Sequence, residues 1–192
     1  MNLPPVILAS ASPRRVELLR QVVFRFRVLP SAAPECEQEQ FTAWEVAQLN
    51  AHRKARRIAK QHPDHLVIGA DTVVCRGTKF YNKPADAADA RRMLRELSGK
   101  THQVITGVCL LHLRGHREAL FAETTMVKFH RLTPATIQRY VTTANPLDKA
   151  GAYGIQDQGE LLVESIDGSY TNVMGLPVER LRAEMQAWLA DR

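Results

Sequence analysis

The chain has 192 residues, 45% of them hydrophobic and 24% charged, with a formal net charge of +6; this is the composition of one soluble globular unit with a sizeable core. No apolar run approaches the roughly 18 residues of a membrane span, and the opening Met1-Asn2-Leu3-Pro4-Pro5 lacks the basic and apolar regions of a secretory signal, so a cytoplasmic protein without a membrane partner is expected. Basic residues are interspersed with acidic ones (Arg53, Lys54, Arg56, Arg57; Arg91, Arg92, Arg95) rather than gathered into a block, which argues against a nucleic-acid partner.

Val6-Ile7-Leu8-Ala9 reads as a short strand entering a helix, with Ser12 as cap and Pro13 at the first helical position. Thr42 and Glu45 form a capping box for a helix to about His62, whose apolar face carries Ala47, Ala51, Ala55 and Ile58. Leu66 to Ala70 reads as a buried strand with Asp71 at its C-terminal end, and a helix from about Asp86 carries Ala90, Met93, Leu94 and Leu97 and stops at Gly99. Gln103 to Leu113 and Glu118 to His130 follow as a hairpin of strands turning near Arg114-Gly115. Thr133-Pro134 starts another helix, a Gly-rich stretch runs from Asp148 to Gln156, and Leu161 to Ile166 is a last strand. Val178, Leu181, Met185 and Leu189 mark a final amphipathic helix. With no repeat or linker, residues 1–192 read as a single α/β unit with a mixed central sheet flanked by helices.

Cys36, Cys75 and Cys109 are far apart and outside any CxxC pattern, and the seven histidines show no HxH or HExxH spacing; neither a disulfide framework nor a zinc site is expected. Four places are better placed for chemistry. Arg14 and Arg15 open a helix, where the macrodipole disfavours cations, so they either point into water or belong to an anion cradle. Lys54 falls within the apolar stripe of its helix and needs a partner, either a structural carboxylate or a substrate phosphate. Asp71 ends a buried strand, where a carboxylate is either a turn residue or part of a ligand site. Lys83 is a lone cation in extended chain ahead of Pro84. Carboxylates Asp71 and Glu35, together with the cations Arg15, Lys54 and Lys83, are the equipment of metal-assisted phosphoryl chemistry.

The strings themselves resemble the Maf nucleotide pyrophosphatases over nearly the whole chain. Ser10-Ala11-Ser12-Pro13-Arg14-Arg15, Gly69-Ala70-Asp71-Thr72, Lys83-Pro84, the Ser98 to Gly107 block, Asp148 to Gln156, and Val173-Met174-Gly175-Leu176-Pro177 are similar to the family's motifs, in the family's order. Leu49-Asn50 departs from the Arg-Leu common ahead of the helix lysine, and Ala33-Pro34-Glu35-Cys36 from the family's acidic cluster. The resemblance implies a Maf/ITPase-like fold of two lobes with a deep cleft, often dimeric, acting on a nucleoside triphosphate with Mg²⁺ or Mn²⁺. It implies that Asp71 accepts the proton of the attacking water and that Glu35 joins it in holding water or metal. Ser10, Arg15, Lys54 and Lys83 become phosphate contacts, and Arg14, Thr72 and Gln156 select the base of dTTP and UTP. An amide suits that base, since it can accept from the pyrimidine N3–H and donate to a carbonyl, whereas the two adjacent donors of 7-methylguanine favour a carboxylate. The alternatives are a 7-methyl-GTP pyrophosphatase and a nucleotide-binding regulator of septum formation without turnover.

Overall fold

A computed structural model describes residues 3–36 and 40–190. Its elements in chain order are β1 (Val6–Leu8), α1 (Pro13–Arg20), β2 (Phe26–Val28), α2 (Ala43–Ala59), β3 (Leu66–Arg76), β4 (Lys79–Phe80), α3 (Ala87–Leu97), β5 (Thr101–His112), β6 (Arg117–Phe129), α4 (Pro134–Thr143), β7 (Val163–Asp167), α5 (Tyr170–Met174) and α6 (Val178–Ala190), with 3₁₀ turns at Ala150–Ala152 and Gly159–Leu161. Among the described residues seven strands form one sheet in the order β2-β1-β3-β5-β6-β7, with β4 also on β3. Pairing is parallel around β1 and antiparallel elsewhere, so the sheet is mixed, as expected.

Local signals set most helix ends. Ser12 caps α1 with Pro13 in its first turn, Thr42 and Glu45 make the reciprocal capping box of α2, and Asp86 and Thr133 cap α3 and α4. Four expectations need correction. The strand from Leu66 does not stop before Asp71 but runs to Arg76, because β5 pairs with it without interruption from Val67 to Cys75. Helix α2 ends at Ala59 with Lys60 as cap, short of His62. Leu161 lies in a 3₁₀ turn and β7 begins at Val163. In α6 the fourth apolar contact is Trp188, not Leu189: Trp188 continues the spacing of Val178, Leu181 and Met185 onto the core, and Leu189 faces outward.

The long strands pass through two apolar clusters on one face of the sheet. One joins β1, α1 and α6 to Leu66, Ile68 and Ala70 of β3; the other joins α3 and α4 to Val74, Val104, Val127 and Phe129. Helix α2 covers the opposite face, over Val67, Val73, Cys75, Ile105 and Cys109. Side chains alternate along a strand, so Asp71, in step with Val67 and Val73, belongs to the α2 face, and Thr72 to the other. Beside β3, β1 ends opposite Ile68 and β4 ends with Phe80 opposite Cys75. The gap between them opens the edge of the sheet around Thr72.

Candidate active site

Two glycines bring α2 onto the sheet. A Cβ on Gly69 would lie 2.2 Å from the Ala51 carbonyl oxygen, and one on Gly107 2.3 Å from that of Ala47. Helix backbone therefore rests directly on β3 and β5, with Ala47, Ala51 and Ala55 beside the two glycines. Lys54, one turn past Asn50 on the same stripe, is held against the sheet instead of rising into water. Its Nζ donates to Asp71 Oδ1 and to Glu35 Oε1, each at 2.6 Å.

The Asn50 side chain completes this cluster. Its Nδ2 donates to Asp71 Oδ2 at 3.0 Å and to the Cys36 carbonyl, while its Oδ1 accepts from Cys36 N–H at 2.7 Å. Asn50 thus pins the segment carrying Glu35 and, with the same amide, one oxygen of Asp71. Burial alone would raise the Glu35 carboxyl, but the hydrogen bond and charge of Lys54, with the charges of Lys83 and Arg15, outweigh it and hold the group below its usual range.

Across the open edge of β3, Arg15 is spent on the fold. Its Nε donates to the Gly175 carbonyl at 2.8 Å, Nη1 to the Ala70 carbonyl at 2.8 Å, and Nη2 to Thr72 Oγ1 at 2.9 Å. These bonds tie α1 to β3 and to the turn after α5, and leave two of the five guanidinium N–H groups for a ligand. Burial pushes the Arg15 pKa below its ordinary value against the pull of Asp71 and Glu35. Thr72 Oγ1 also meets Thr106 Oγ1 at 3.0 Å, and Thr106 donates to the Asn172 carbonyl.

A cleft of about 260 Å³ wraps this edge and collects Arg14, Arg15, Glu35, Lys54, Asp71, Thr72, Lys83 and Gln156. Eight of the nine expected site residues therefore line one cavity. Ser10 does not; it is buried, and its Oγ accepts the Ser12 N–H at 3.2 Å, bracing the turn into α1 while Ser12 itself lines the cleft. Sequence reasoning missed Asn50, Lys149 and Tyr153 as lining residues. Asn50 carried the same signal as Lys54, a polar residue in an apolar stripe; Lys149 and Tyr153 carried none outside their motif.

The donor set suits a hard cation. Two carboxylates share one ammonium, so their oxygens stand no farther apart than those two contacts allow, and Mg²⁺ characteristically takes one or two carboxylates and completes its shell with water and substrate phosphate. The three cysteines are buried and free. Among the described residues no group of three or more His, Cys, Asp or Glu converges, so the substrate would have to supply part of any metal's coordination.

Residues 5–188 match the family model described as Maf-like protein. The chain belongs to the Maf family. A relative from Acetivibrio thermocellus named dTTP/UTP pyrophosphatase is 45% identical, covering 92% of this chain and 91% of its own length. One from Symbiobacterium thermophilum with the same name is 48% identical, covering 91% and 89%. A HAM1 protein from Coxiella burnetii superposes with a TM-score of 0.53 over 99% of this chain and 100% of its own, at 11% identity, a likeness of fold alone. In this Maf chain the motif residues stand on both sides of one sheet edge: the carboxylates and Lys54 on the α2 side, Arg15, Thr72 and the Asp148 to Gln156 stretch on the other.

Proposed function

We propose that the chain is a nucleoside triphosphate pyrophosphatase that hydrolyses dTTP and UTP to the monophosphate and pyrophosphate. The observation that carries this reading is the Glu35–Lys54–Asp71 cluster, joined at 2.6 Å contacts and lining the same cleft as Lys83, Arg14 and Gln156. Relatives named dTTP/UTP pyrophosphatase that match over nearly the full length support the substrate class.

The reaction breaks the bond between the α-phosphorus and the oxygen bridging to the β-phosphate. Water attacks the α-phosphorus and gives its proton to Asp71, whose hydrogen bonds from Asn50 and Lys54 fix the direction of its remaining lone pairs. Glu35 and Asp71 would hold a divalent cation, Mg²⁺ or Mn²⁺, which would supply Lewis-acid polarisation of the phosphoryl oxygens. Lys83 and Lys54 meet the charge that builds on pyrophosphate as it departs, and the unused N–H groups of Arg15 take a phosphate oxygen. Over the base, Gln156 offers an amide that donates to a pyrimidine carbonyl and accepts N3–H, and Arg14 and Thr72 line the same wall. The activity would serve as house-cleaning of the nucleotide pool in the cytoplasm; among the described residues no helix is long and apolar enough to cross a membrane.

The test is pyrophosphate release from UTP, dTTP, CTP, GTP and 7-methyl-GTP with Mg²⁺ or Mn²⁺ and with chelator. Metal-dependent release selective for UTP and dTTP is the expected result. Preference for 7-methyl-GTP would keep the chemistry and overturn the role of Gln156; no release from any nucleotide would leave a binding protein.

A further inference from the structure

One buried side chain organises the wall of the cleft that carries Gln156. The Lys149 side chain is only 6% exposed. Its Nζ donates to the Asn145 carbonyl and, at 2.7 Å, to Asp148 Oδ1, and lies 3.1 Å from Asp157 Oδ2. A buried ammonium persists only when paired and hydrogen-bonded; here its three acceptors belong to the start, middle and end of a single stretch, which it draws together. The stem of the lysine shapes that stretch further. A Cβ on Gly154 would come within 2.8 Å of Lys149 Cε and 2.6 Å of Asp157 Oδ2, so the backbone two residues ahead of Gln156 lies directly on the Lys149 stem.

The second oxygen of Asp148 turns the other way. Asp148 Oδ2 stands 3.6 Å from Arg14 Nη1 at the start of α1. Asp157, Lys149, Asp148 and Arg14 thus alternate in sign from the Gln156 segment to α1, and Arg14, Asp148, Lys149 and Gln156 all line the cleft. Among the described residues the Glu35–Lys54–Asp71 cluster shares no hydrogen bond with this chain of charges.

We propose that Lys149 and Asp148 are positioning residues for base selection: Lys149 fixes the segment that presents Gln156, and Asp148 holds Arg14 toward the same space. The inference rests on the pyrimidine triphosphatase reading above. Because both residues act on the side chains that read the base and not on the carboxylates, their loss registers in KM and in discrimination between bases rather than in the chemical step.

The test measures steady-state pyrophosphate release from UTP, dTTP, CTP and GTP for the full chain, Asp148→Asn, Asp148→Glu and Lys149→Met, with the melting temperature of each. Asp148 is half exposed, so its amide isostere keeps the proposal testable if Lys149→Met does not fold. The expected result for Asp148→Asn is a KM for UTP and dTTP raised about tenfold, kcat within about threefold, and a preference over CTP narrowed to match, with partial recovery in Asp148→Glu. Equal losses on all four nucleotides, a fall in kcat at constant KM, or an unchanged preference would overturn it. The unsubstituted chain separates the two readings: if it releases pyrophosphate selectively from UTP and dTTP, failure of the variants sinks only this inference, and if it releases none, both fall.

Discussion

Lys54 Nζ and Asp71 Oδ1 meet at 2.6 Å across a sequence separation of 17 residues, on a helix and a strand that touch through backbone because Gly69 and Gly107 carry no side chain. The ammonium is nearly buried, and the same group bonds Glu35. Three charges are therefore fixed in one place before any ligand arrives, which is the preorganisation that phosphoryl transfer rewards.

Asp71→Asn should keep the hydrogen bond from Lys54, since the amide retains one acceptor oxygen, but it can no longer take a proton. Turnover is expected to fall by about 10²–10⁴, while the fold persists at a lower melting temperature because the new amide nitrogen faces the Asn50 donor. Pyrophosphate release checks it; near-normal activity would remove Asp71 from the role of base.

Lys54→Met leaves Glu35 and Asp71 facing each other without their shared cation. Breaking a largely buried pair in this way is expected to destabilise the fold by about 2–4 kcal/mol and to weaken nucleotide binding as well. Urea titration of the variant beside the parent reads the first effect, and KM reads the second. Lys83, which lines the cleft near Glu35, is expected to behave differently: Lys83→Met should cost about 2–4 kcal/mol in kcat/KM and nothing in the urea midpoint.

Gly107→Ala places a methyl group 2.3 Å from the Ala47 carbonyl oxygen and 2.6 Å from the Gln48 nitrogen. Neither backbone atom can yield without lifting α2, so a loss of at least about 3 kcal/mol is expected, accompanied by loss of activity as Lys54 and Asn50 move off Asp71. A stable, active Gly107→Ala protein would show that α2 is not held by this contact.

His102 is buried beside Phe129, with its Nε2 2.8 Å from the Tyr153 hydroxyl, and burial pushes its pKa down to about 4. In the unfolded chain the group titrates near 6.5. Between those values the unfolded state binds the proton and the folded state does not, so stability falls as pH drops from about 6.5 to 4, by about 3 kcal/mol when complete. Urea midpoints measured from pH 7 to 4.5 should show this slope, and His102→Gln should flatten it.

Much of the site was legible because two signals were local. Lys54 stands out as a charge in an alanine stripe, and Asp71 as a carboxylate at the end of an apolar run; both line the cleft. Glu35 had no periodic signal, and its segment is held by Asn50 from another element, a contact no spacing reveals. The helix start at Arg15 allows either a solvated side chain or an anion cradle, yet three of its donors go to acceptors at residues 70, 72 and 175, partners set by tertiary structure alone. The short elements β2, β4 and α5 escaped notice for the same reason: two to five residues carry too little pattern, and their pairing comes from neighbours already in place. In α6 the spacing reads Leu189 as the fourth apolar contact, whereas Trp188 is the buried residue and Leu189 is exposed.

The break beside β3 has a further consequence. Bare sheet edges invite strands of other molecules and seed aggregation. Here the break runs only from Leu8 of β1, opposite Ile68, to Phe80 of β4, opposite Cys75, and its flanking carbonyls are already taken, Ala70 by the Arg15 guanidinium and Val74 by the Tyr81 N–H. Arg15 therefore acts as a gatekeeper as well as a clamp, leaving an opening cut into a sheet that admits a small molecule and is too short a run for another chain to zip onto.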